Sequence, residues 1–93
     1  MPRGEYYIVY IQTNPDVSAE RLTAAMNLAI DWFRIDQSIW ILFTTADKVI
    51  LNARFEKLVK PHGALFICKL DIKTRNGFID KRLWEWIKSR PLP

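Results

Sequence analysis

Tyr6-Tyr7-Ile8-Val9-Tyr10-Ile11 is the stretch on which the fold turns. Successive side chains of a strand point to opposite faces, so Tyr6, Ile8 and Tyr10 form one set and Tyr7, Val9 and Ile11 the other. Both sets are apolar. Ile39-Trp40-Ile41-Leu42-Phe43 and Leu65-Phe66-Ile67-Cys68 have the same two-sided character. A sheet built from such strands must be covered on both faces. The rest of the 93-residue chain has room for two long helices, enough for one face, so a partner chain is expected over the other.

Working outward, the first strand runs from about Glu5 to Gln12 and stops at Thr13-Asn14-Pro15-Asp16, where Pro15 bars further pairing. Ser18 is an N-cap, with Glu20 in the first turn to favour the helix dipole. Leu22, Met26, Ala29 and Phe33 then follow at helical spacing. A short strand is expected at roughly 33–37 and a stronger one from Ile39 to Thr44. Thr44-Thr45-Ala46-Asp47 supplies the cap and first turn of a second helix, with Leu51, Phe55, Leu58 and Val59 on one stripe and Glu56 paired to Lys60. Pro61-His62-Gly63 ends it. A last strand covers Ala64 to about Ile72, Asn76-Gly77 makes a turn, and Asp80 caps a short terminal helix holding Leu83, Trp84 and Ile87. The order β-α-β-β-α-β plus a terminal helix predicts a ferredoxin-like α/β sandwich (α+β in class), one domain spanning residues 1–93.

An apolar fraction of 49% with 26% charged residues fits a globular protein and not a disordered one. No apolar run approaches the ~20 residues that span a bilayer. The start Met-Pro-Arg-Gly-Glu has no signal-peptide character, so a cytoplasmic location is expected. One cysteine and one histidine make a poor metal site, and no cofactor is implied. The net charge of +4 is unevenly spread. Residues 1–56 hold five basic and seven acidic side chains, whereas residues 57–93 hold nine and three. Lys57, Lys60, Lys69, Lys73, Arg75, Lys81, Arg82, Lys88 and Arg90 make up the positive part. Such residues either solvate helix surfaces or form a basic region for phosphate backbones.

Tyr7-Ile8-Val9-Tyr10, the segment Arg34-Ile35-Asp36-Gln37-Ser38-Ile39-Trp40-Ile41, and the tail from Gly77 through Trp84-Glu85-Trp86-Ile87 stand in a familiar order. Together they resemble the small CRISPR-associated endoribonuclease family of spacer acquisition, and more closely its SinR-like relatives, which share a Ser-x-Trp-apolar third strand and a Gly…Trp-x-Trp ending. The resemblance spans about Glu5 to Ile87 and implies a ferredoxin-like homodimer. Members proposed to act as metal-dependent nucleases carry an aspartate at the end of the first strand, paired across the dimer around a divalent cation. The matching residue here is Gln12. Its amide oxygen is a weak neutral ligand, and the departure argues against nuclease activity.

No other catalytic arrangement emerges. His62 reads as a loop residue, Cys68 as a small core residue grouped with Phe66 and Leu70, and Ser38 has no nucleophile-elbow context. The three glycines, at positions 4, 63 and 77, form no phosphate loop. Trp40 and Trp84 are core or interface residues first and stacking platforms second. The candidate dimer interface is Tyr6, Ile8, Tyr10 and Trp40. The candidate nucleic-acid contacts are Arg34, Lys69, Lys73, Arg75, Lys81 and Arg82, with an ion pair from Arg34 to Asp31 or Asp36 as the alternative use of that guanidinium. Three readings follow. One is a nuclease-inactive dimer that binds DNA or RNA without sequence preference, or acts as a scaffold. Another is a divalent-metal nuclease using a displaced carboxylate such as Asp36 or Asp71. The third is a protein-interaction module of a toxin–antitoxin or defence system.

Overall fold

The computed structural model describes residues 4–89; residues 1–3 and 90–93, Arg90 among them, lie outside it. Strand β1 is Glu5–Gln12, helix α1 Ala19–Met26, β2 Asp31–Arg34, β3 Ile39–Thr44, α2 Lys48–Val59, β4 Ala64–Leu70 and α3 Lys81–Lys88, with a 3-10 turn at Ile72–Thr74. The class is α+β, with one four-stranded antiparallel sheet in the order β2-β3-β1-β4. Among the described residues no helix is long and apolar enough to cross a membrane.

The register sorts the side chains. Val9 faces Trp40 on one neighbour and Ile67 on the other, while Ile8 faces Ile41 and Cys68. Tyr7, Val9, Ile11, Trp40 and Leu42 therefore share the first face, and α1 and α2 pack on it. Ser18 caps α1 by accepting from the Arg21 N–H, and Asp47 caps α2 by accepting from Val49 and Ile50. Leu51, Phe55, Leu58 and Val59 on α2 are buried, as their spacing predicts. Trp40 is 1% exposed in this core, with Trp32 edge-on to it at 4.8 Å between centroids. It belongs to the helix-covered face, so its grouping with Tyr6, Ile8 and Tyr10 is corrected: alternation along β3 turns it the other way.

Helix α1 is shorter than its apolar period suggests. It ends at Met26 with Asn27 as C-cap, the Asn27 side chain accepts from the Trp32 indole at 2.8 Å, and the Ile30 N–H bonds to the Phe43 carbonyl. The second strand accordingly occupies 31–34 rather than 33–37, and Phe33 continues no helical stripe but faces away from α1. Asn14 ties the far end together. Its backbone N–H bonds Leu58, its side-chain amide donates to the Lys60 carbonyl at 2.6 Å, and its oxygen accepts from the His62 N–H at 3.0 Å.

The second face is covered in part by the chain itself. Leu83 and Ile87 of α3 are buried against Tyr6, Ile41 and Ile72. Trp86 packs edge-on to Tyr6 at 5.8 Å, and its indole N–H donates to Asp31 at 2.9 Å. Tyr6 is thereby fully buried by its own terminal helix. What stays uncovered lies towards the other end of β1, where Ile8, Tyr10 and Ile39 are half-buried and Phe66 is 61% exposed. Cys68 is exposed there as well, not buried with Phe66 and Leu70 as its alternation suggests, because α3 covers the Tyr6 end of this face and not that part of β4. Strand β4 stops at Leu70 instead of Ile72, since Asp71 takes the Lys73 N–H and starts the 3-10 turn.

Ile87→Ala should cost about 2–5 kcal/mol of unfolding free energy, the range for a buried isoleucine reduced to alanine. Glu85→Ala on the exposed side of α3 should change it by less than ~0.5 kcal/mol. Urea unfolding of the two variants checks whether α3 is part of the folded unit; equal stabilities would show that it is not.

Candidate nucleic-acid interface

The segment joining β4 to α3 is a chain of caps and turns. Asp71 caps the 3-10 turn, Arg75 closes it with its N–H on the Ile72 carbonyl, and Gly77 takes a φ of +148° that side-chain-bearing residues avoid. Asp80 then caps α3. This path leaves an open depression between the turn and the helix, lined by Lys73, Arg75, Asn76, Gly77, Trp84 and Lys88. Three of the six are cationic and none is acidic. The Arg75 guanidinium is held by a bond to the Ile72 carbonyl at 3.0 Å, which leaves most of its donors for a ligand. Lys88 follows Trp84 by one helical turn and Lys81 precedes it by three residues, so both border the same side of α3.

Lys73 and Arg75 are thus brought together, and the structure adds Lys88 and Trp84 to them. The other candidates go elsewhere. Lys69 is ion-paired with Glu5 at 2.8 Å, and the hydrogen bond and charge of that carboxylate raise its pKa. It lines the neighbouring depressions but not this one. Arg82 donates to Asp80 through Nε at 2.9 Å and Nη2 at 2.6 Å. Those bonds lower the Asp80 pKa from 3.8 to about 2 and raise that of Arg82. Arg34 lies at the opposite end of the sheet and on its helix-covered face. Its guanidinium donates to the carbonyls of Asp36 and Gln37 and stands 4.5 Å over the Trp40 ring.

Asp36 and Asp71 are not brought together. Asp36 accepts from the Ser38 and Ile39 N–H groups in the β2–β3 turn, and Asp71 caps the turn after β4, at the other end of the sheet. Gln12 is exposed at the end of β1 opposite Ala64, where the backbone of Gly63 comes so close that a Cβ would fall 1.9 Å from the Gln12 carbonyl oxygen. A neutral amide at that position is a weak ligand that brings no charge to a divalent cation. Among the described residues no three His, Cys, Asp or Glu side chains lie close enough together to hold a metal ion. No protein-family model, curated protein or solved structure matches this chain.

Helix α3 forms one wall of the depression, and its cap gives it a pH dependence. The Asp80 pKa is depressed on folding, so its contribution to stability is present above pH 3.8 and is lost as pH falls through about 2. Melting temperature followed from about pH 5 to pH 2 should fall less steeply for Asp80→Asn, which keeps the capping acceptor but not the charge. Superimposable acid limbs would show that the Asp80–Arg82 pair is absent in solution.

Proposed function

We propose that this protein is a nuclease-inactive, dimeric nucleic-acid-binding protein of ferredoxin-like topology, akin to the CRISPR-associated endoribonucleases and their SinR-like relatives. The observation that carries the binding role is the depression lined by Lys73, Arg75, Lys88 and Trp84 with no acidic lining residue. Cations gathered in a depression with no acidic lining residue suit a phosphate backbone, and contacts to phosphate impose no sequence preference of their own. The ferredoxin-like reading is supported by the strand order β2-β3-β1-β4 and by α1 and α2 lying together on one face.

The second copy belongs on the uncovered half of the other face. Ile8, Tyr10 and Phe66 present apolar surface there, next to the free edge of β4, whose seven residues include a single charge, Lys69. A two-fold dimer through this region presents two basic depressions, enough to follow a backbone over more than one contact point. The same strip supports an interaction module for another protein as the second reading. The two differ in whether salt-sensitive nucleic-acid binding exists at all.

Fluorescence anisotropy with labelled DNA and RNA, taken from about 50 to 200 mM salt, should show sequence-tolerant binding that weakens steeply. Three cations per protomer give about six phosphate contacts per dimer and a log–log slope near −5 on duplex DNA. Changing Lys73, Arg75 and Lys88 together to alanine should remove most of that slope. Absence of binding at the low-salt end would overturn the nucleic-acid reading in favour of the interaction module. No Mg²⁺-dependent cleavage is expected in the same samples. Sedimentation should give twice the 11.0 kDa chain mass, and Phe66→Glu should return the monomer; a wild-type monomer would contradict the dimer.

A further inference from the structure

Beside the basic depression lies a second, of about 490 Å³, beneath the segment that joins β4 to α3. Its floor is apolar, built from Ile41, Leu70, Ile72, Leu83 and Ile87. The two depressions share one wall, made of Arg75, Asn76, Gly77 and Trp84. Over the apolar one stands Phe78, whose side chain is wholly exposed, the most exposed large apolar residue of the described chain. Gly77, at its positive φ, sets the turn that carries Phe78 outward.

An aromatic ring held in water at the rim of an apolar depression, next to a cluster of cations, is arranged like the two parts of a nucleotide. The volume lies within the ~300–1,000 Å³ of small-ligand sites. We infer that the apolar depression receives a nucleobase, stacked on Phe78 and flanked by Trp84, while Lys73, Arg75 and Lys88 hold the adjoining phosphates. This rests on the nucleic-acid reading above and makes it more specific. A base paired inside a duplex has no free face to offer Phe78, whereas an unpaired base does, so the ligand class is single-stranded nucleic acid. The Asn76 side chain in the shared wall accepts from the Gly77 N–H through its oxygen at 2.8 Å, so it offers the base edge its NH2 donors and no paired donor–acceptor set of the kind that selects one base.

The test compares a labelled oligothymidylate of about twelve nucleotides with a duplex of the same length, for the wild type, Phe78→Ala and Phe78→Trp. Stacking of one base is worth ~1–3 kcal/mol, so Phe78→Ala should weaken single-strand binding by about tenfold or more. Duplex binding should stay within about twofold, and Phe78→Trp should keep the single-strand affinity. The side chain is fully exposed, so the substitutions leave the core intact, and an unchanged melting temperature confirms it. Equal weakening of both probes by Phe78→Ala, or no weakening of either, overturns the base-stacking assignment while leaving phosphate binding in place. A shift from dimer to monomer in that variant overturns it too, because Phe78 would then be a contact between copies. Failure of the wild type to bind either probe overturns the nucleic-acid reading itself.

Discussion

A central strand with Tyr, Ile and Val side chains on both faces cannot leave either face in water, and the placement of the other elements answers to that. Tyr7, Val9 and Ile11 are covered by α1 and α2 in the ordinary way of a two-layer α+β domain. Tyr6, on the reverse side, is covered only because the chain turns back after β4 and lays Leu83, Trp86 and Ile87 over it. That return path is geometrically demanding. It needs the cap at Asp71, the turn at Gly77 and the cap at Asp80 in quick succession, and it leaves Phe78 outside the core. The depressions of the candidate site are the space that this path encloses, so the site follows from the way the second face is closed.

The charge distribution follows the same path. Two of the cations in the C-terminal third are neutralised locally, Lys69 by Glu5 and Arg82 by Asp80. Exposed pairs of this kind add little to stability, but they remove those charges from any long-range field. Lys73, Arg75 and Lys88 lie together where no lining residue opposes them. Lining one depression, they can meet a single anionic ligand together. Part of the positive balance of residues 57–93 is therefore gathered at one depression.

Much of the fold was legible in the sequence because local signals agreed with tertiary ones. The spans of β1 and β3, the caps at Ser18, Asp47 and Asp80, and the α2 stripe at Leu51, Phe55 and Leu58 rest on alternation, capping chemistry and helical period, and each operates within a few residues. The errors arose where two periods overlapped. Phe33 sits at helical spacing from Met26 and Ala29, yet the Asn27 cap and the Trp32 indole bond end the helix first. Trp40 shares a face with Val9 and not with Tyr6, a direction that aromatic character does not give and that its register opposite Val9 does. Of the candidate site, charge alone points to Lys73 and Arg75, and the spacing of Lys88 to Trp84 points to a third cation, whereas no local pattern gives the carbonyl partners of Arg34 or its place over Trp40. The role of α3 as a cover for its own sheet depends on a contact between residues 55 positions apart, Asp31 and Trp86, which no local pattern encodes.

On the proposed function, the turn-and-helix segment that closes the second face of the sheet is also the surface that meets nucleic acid. A titration of the isotopically labelled protein with a short oligonucleotide, followed by amide chemical shifts, tests it most directly. The account predicts that the shifted amides cluster at residues 73–78 and 84–88 and that those of Arg34 to Trp40, at the other end of the sheet, stay still. Shifts centred on Ile8, Tyr10 and Phe66, or on Arg34, with the 73–88 segment unmoved, would contradict it.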